Sequence, residues 1–196
     1  MKLNVLLTAA VLAGTIASAH ALTVVQAPSG TGDNFVSNPC SASLVTTGIS
    51  VFGCLQNDHA QVVQVMGSET LTIGTGGGQA SIDSVDGQFT FAKISLVDSQ
   101  LTGVVLNIDA AANGFVTFAD GAGTDGTFVL VQRGQNFFTI TGVAGGFLSF
   151  TSTVAVDDLN QIRVAGVVPE PETYALMLAG LGMVGALARR RGRRPA

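Results

Sequence analysis

Residues 103–141 read GVVLNIDAAANGFVTFADGAGTDGTFVLVQRGQNFFTIT. Apolar and polar side chains alternate through Val104-Val105-Leu106-Asn107-Ile108, Phe128-Val129-Leu130-Val131-Gln132 and Phe138-Thr139-Ile140-Thr141. That is the period of two expected of strands with one buried face. The pattern recurs in Leu148-Ser149-Phe150-Thr151 and Ile162-Arg163-Val164, and no helical period interrupts it. Glycines at 87, 103, 114, 121, 134 and 145 punctuate the runs at the turn spacing of sandwiches and barrels.

The composition agrees, being rich in Thr, Val, Ile and Phe and poor in strong helix formers. Prolines stand only at 28, 39, 169, 171 and 195, so residues 40–168 carry none to break a ladder. The expected fold is all-β: a single antiparallel β-sandwich, jelly-roll-like, over residues 40–166, with about eight to eleven strands. Residues 22–39, rich in Ser, Gly, Asn and Pro, are expected as a loose lead-in. The uncharged stretch at residues 135–141 is a hazard on an exposed edge, and its place is expected to be inside the domain.

Both ends of the chain differ from this middle. Residues 1–21, MKLNVLLTAAVLAGTIASAHA, combine Lys2, an apolar stretch from Val5 to Ala17 and the small-x-small triplet Ala19-His20-Ala21. They read as a secretory signal peptide cleaved after Ala21, so the mature chain begins at Leu22 outside the cytoplasm.

At the other end, residues 167–194 read VVPEPETYALMLAGLGMVGALARRRGRR. Tyr174 to Ala188 is uncharged and, as a helix, would be about 22 Å long, slightly short for a bilayer core unless flanking side chains snorkel. The arginines at 189, 190, 191, 193 and 194 would hold the chain end in the cytoplasm. Two prolines in three residues favour an extended, protease-accessible strap just outside the membrane. Ala175, Ala179, Gly180, Gly182, Gly185 and Ala186 would let a second membrane helix approach closely.

The order Pro169-Glu170-Pro171, short apolar helix (174–188), arginine cluster (189–194) resembles the PEP-CTERM sorting signal of Gram-negative bacteria. The resemblance covers residues 167–196 and does not extend to the domain before them. It implies transient insertion in the inner membrane and recognition of Pro169, Glu170 and Pro171, with Arg189, Arg190 and Arg191 in the basic cluster. The recognising partner would be exosortase, a membrane-embedded cysteine transpeptidase or protease. It also implies delivery to the cell surface or the extracellular polymer matrix.

Between the two terminal segments, eleven acidic residues face three basic ones (Lys93, Arg133 and Arg163), a net charge of −8 that the whole-chain value of −4 conceals. A surface of that sign argues against nucleic acid and anionic lipid as ligands. All eleven phenylalanines lie here, there is no Trp, and the single Tyr is in the tail. Sugar sites built on Trp or Tyr platforms are therefore not available.

Cys40 and Cys54, in an oxidising compartment, are expected to form a disulfide worth about 3 kcal/mol, with two buried thiols or pairing between chains as the alternatives. Gly121 to Gly126 matches G-x-G-x-x-G, but a strand-like run follows it where a dinucleotide site needs a helix, so it reads as a hairpin loop. Asp120 and Asp125 in that loop are weak calcium candidates, against the simpler reading of a turn with two solvated aspartates. Asp83 and Asp86 warrant the same caution. His59 has no partner at catalytic or zinc-ligand spacing. No cofactor and no catalytic residue are expected. Two functions fit: a structural or adhesive component of the surface or exopolysaccharide matrix, or a carbohydrate-binding module or glycan-directed enzyme of the same compartment.

Overall fold

The computed structural model describes residues 22–74, 79–167 and 179–182. Eleven strands follow in chain order: β1 (Thr23–Val25), β2 (Asp33–Val36), β3 (Thr47–Leu55), β4 (Val62–Gly74), β5 (Ser81–Ser84), β6 (Phe89–Leu96), β7 (Gln100–Ala110), β8 (Gly114–Asp120), β9 (Thr124–Leu130), β10 (Asn136–Thr141) and β11 (Phe147–Val167). All pairings between them are antiparallel. They join the strands in one sheet.

The sheet is organised by β11. The runs at 148–151 and 162–164 fuse into this single strand, because neither Gly nor Pro occurs between Phe147 and Ala165. Its first part is paired with β6 on one edge and β8 on the other. Its second part has β7 on one edge and β5 and then β2 on the other. Register shifts between Thr151 and Val156 and between Asn160 and Arg163 accommodate the change of partners, and Gln161 takes a left-handed φ of 51°. Pairings run from β11 through β2, β3, β4 and β5 back to β11, so this part of the sheet forms a closed circuit.

Inside lies one hydrophobic cluster to which ten of the eleven strands contribute buried residues. Alternation along the strands does what the sequence pattern requires: Ile82, Leu159 and Ile108, neighbours across β5, β11 and β7, are all fully buried. Phe118 on β8 is the hub of the aromatic packing. Its ring centroid lies 5.0 Å from Phe138 on β10, 6.2 Å from Phe150 on β11 and 6.0 Å from Phe128 on β9. These tilted and edge-on arrangements are the preferred ones for aromatic pairs.

Three local differences from the sequence reading have clear causes. Residues 22–39 are not a loose lead-in throughout: β1 pairs with β10, β2 links β11 to β3, and Phe35 is fully buried. The strand β9 stops at Leu130, before Gln132, whose N–H is taken by Asn113 Oδ1 and which makes only an isolated bridge to Ala110. The segment at 135–141 becomes β10, an interior strand between β1 and β7 with Phe138 and Ile140 buried, so its edge is covered.

Replacing Phe118 with Ala removes the hub ring and leaves a cavity touching four strands. The expected cost is about 3–5 kcal/mol, read as a lowered denaturant midpoint, whereas Phe115→Ala, at a side chain 50% exposed, should change the midpoint little.

Candidate functional site

The loops and strand faces carry the polar groups that could do chemistry. The loop between β8 and β9 is the hairpin expected from its sequence, closed by Asp120 N–H donating to Gly123 O. Asp120 itself is buried, at 8% exposure. Its Oδ1 accepts from the N–H groups of Ala122 and Gly123 at 2.8 and 2.9 Å, and its Oδ2 from Ala144 N–H at 2.9 Å. Burial pushes this carboxyl up, but the backbone donors at Ala144, Ala122 and Gly123 outweigh it and hold the group below the usual value. Asp120 thus ties this loop to the one that leads into β11. The two loops meet so closely that a Cβ on Gly145 would stand 2.2 Å from Gly121 N.

Asp125 points elsewhere, its Oδ2 accepting from Val24 N–H at 2.9 Å and fixing β1 beside β9. The two candidate calcium ligands therefore serve different backbone contacts. Among the described residues, no group of three or more His, Cys, Asp or Glu side chains is arranged to hold a metal ion. His59 is exposed, with its carbonyl accepting from Ser41 N–H.

Cys40 and Cys54 are joined by a disulfide with Cα atoms 5.7 Å apart. It ties the segment after β2 to β3, where a Cβ added to Gly53 would stand 2.3 Å from the Phe35 ring. Two of the three cations of the domain are engaged internally. Lys93 lies 4.0 Å over the Phe147 ring, and Arg163 Nη1 donates to Ser29 O at 3.0 Å. Arg163 also borders a pocket of about 210 Å³ lined by Thr31, Thr102, Gly103 and Thr141, among others.

The sequence reading missed a row of three carboxylates. Asp158 on β11 stands opposite Asp83 on β5 at one side and Asp109 on β7 at the other. Burial, together with Asp109, Asp83 and Asp157, pushes the Asp158 carboxyl up to about 6, against a lowering contact from the Asn160 amide, which donates to Asp158 Oδ1. Asp109 Oδ1 and, one register step along, Asn107 Oδ1 are buried without a hydrogen-bond partner among the described residues. The three aspartates are 26 and 49 residues apart in sequence. Only strand register, which the sequence does not display, brings them together.

The C-terminal junction is the remaining site. β11 reaches Val167, paired with Gln100, so a single residue separates the sheet from Pro169. Pro169, Glu170, Pro171, Arg189, Arg190 and Arg191 lie outside the described residues, as do residues 1–21. Residues 179–182 are helical, and no helix among the described residues is long and apolar enough to cross a membrane.

Comparison with known proteins identifies this end of the chain. Residues 167–194 match the family model of the PEP-CTERM protein-sorting motif. The match implies export, an exosortase as processing partner, and a surface or extracellular destination. No curated protein and no solved structure matches the chain.

Two pH effects of opposite sign follow. Asp120, held low, stabilises the fold above its unfolded-state value, and that contribution is lost as pH falls through its folded value. Asp158, held high, binds a proton more tightly in the folded state, so its contribution is fully present below the unfolded value and is lost as pH rises through about 6. Asp158→Asn should raise the Tm at pH 7, by a stability gain of about 1 kcal/mol after allowance for solvent screening, and should flatten the Tm profile between about pH 4 and 6. Asp120→Asn should lower the Tm at pH 7 and leave it less sensitive to acid. Thermal unfolding across pH checks both.

Proposed function

We propose that this chain is an exported β-domain of a Gram-negative bacterium. In this reading the signal peptide at 1–21 is removed, residues 174–188 span the inner membrane briefly, and an exosortase-type enzyme acts at Pro169-Glu170-Pro171. The released domain then serves as a structural or adhesive component of the cell surface or exopolysaccharide matrix. The observation that carries the reading is the sorting-motif match at residues 167–194, beginning at the last residue of β11.

The domain suits such a role in physical terms. It has a net charge of −8, favouring solubility, and its two internally engaged cations leave no basic patch for nucleic acid. Its disulfide fits an oxidising compartment. The long strands β4 and β11 each pass from one set of partners to another, which supports viewing the closed sheet as a two-layered, sandwich-like body. The two loop aspartates, Asp120 and Asp125, serve the domain's own backbone, which favours a structural role over calcium-assisted glycan chemistry.

Intact masses of the protein from the surface matrix and from the membrane fraction of its host, before and after reduction, test the proposal. The expected matrix species starts at Leu22, ends near Pro171 and gains two hydrogens on reduction. Pro169→Ala with Pro171→Ala should leave the chain in the membrane fraction with its tail intact. Unchanged release of that variant would refute the sorting role of the tripeptide.

Cys40→Ser with Cys54→Ser should lower stability by about 3 kcal/mol, the loop-closure value for a loop of this length. Chemical denaturation of the released domain measures it.

A further inference from the structure

The strands at which the chain enters and leaves the domain stand in one row of the sheet. Thr23 on β1 pairs with Thr141 on β10, Thr141 with Gly103 on β7, and Gly103 with Ala165 on β11. β1 and β11 run in opposite directions, since each of the three pairings between them is antiparallel. β1 therefore begins at the same end of the sheet at which β11 finishes. Three strand spacings separate them, about 14 Å.

We propose that this end of the domain faces the bilayer while the sorting tail is in the membrane, and that the opposite end, at the turn between β7 and β8, points away from it. The proposal rests on the reading of residues 174–188 as a membrane span, and concerns how the domain is held on it. Chain length decides between orientations. From Val167 to Tyr174 there are seven residues, which reach at most about 25 Å when fully extended. Along β7, from Gln100 beside Val167 to Ala110 at the far end, the sheet extends about 33 Å. An inverted domain would lift Val167 about 33 Å from the surface, beyond the reach of its own tether.

A signal peptide leaving from Leu22 fits the same geometry, because a chain held at both ends by one bilayer needs no detour around the domain. The end that faces the membrane is formed by Gln100, the turn at Val97-Asp98-Ser99 and the starts of β1 and β7. Val97 is 37% exposed there, and Gln61 braces the turn by donating to Val97 O at 2.8 Å and accepting from the Ser99 hydroxyl at 2.5 Å. A processing enzyme that reads Pro169 must work against this end, one residue from the folded sheet.

The test uses the full chain in bacterial cells that cleave signal peptides but contain no exosortase, so that the tail stays attached. A photoreactive benzoylphenylalanine replaces Gln100 in one variant and Ala112, exposed in the β7 to β8 turn, in another. Cross-linking to labelled phospholipid is then measured on membrane-held protein of normal thermal stability. A yield at least tenfold higher from position 100 is expected. Equal yields, as from a domain lying on its side or tumbling freely, or a higher yield from position 112, would overturn the proposed orientation while leaving the membrane span intact. Recovery of both variants wholly outside the membrane fraction would overturn the reading of the tail, and this proposal with it.

Discussion

The hydrogen-bonding of β11 along both of its edges is the constraint on which the rest of the structure depends. A strand of 21 residues contacts five others, and the core has no arrangement without it: the aromatic hub, the closed circuit through β2 and the row of aspartates all use its register. Such a strand needs a long interval free of Gly and Pro, enough β-branched and apolar residues to fill one face, and places where the ladder can shift. The sequence from Phe147 to Val167 provides all three.

The polar interior is used for positioning. Asp120 gathers three backbone donors from two loops, Asp125 holds the first strand, and Asn136, 2% exposed, binds both the N–H and the carbonyl of Val131 to close the turn before β10. Each pairs backbone groups that the loops and strand ends would otherwise leave without a partner inside the chain. Asp158 is the exception, a carboxyl placed between two others with a single amide for relief.

The all-β class, the strand positions at 104–108 and 138–141, and the hairpin at 121–126 were legible because each depends on neighbours in sequence: alternation, and glycines where turns occur. The sorting tail was legible for the same reason, being a linear signal. What could not be read was whatever depends on register. Asp83, Asp109 and Asp158 look unrelated along the chain, and the short runs of β1 and β2 carry too few residues to show a period. Their strand character comes from partners more than a hundred residues away in the cases of β1 with β10 and β2 with β11. The sheet's closure through β2 was likewise invisible, because it rests on two-residue pairings, one of them between strands far apart in the chain.

The tail grows directly out of β11, and this has a mechanical meaning. A pull along the tail acts down the axis of that strand, loading its ladder bonds to β7 together and in shear instead of opening them one after another. The domain is therefore gripped by its most interlocked element, and a force applied at this end is spread across the sheet. A cut anywhere beyond Val167 would leave the same strand whole, so the most interlocked element of the sheet does not depend on the residues that follow it.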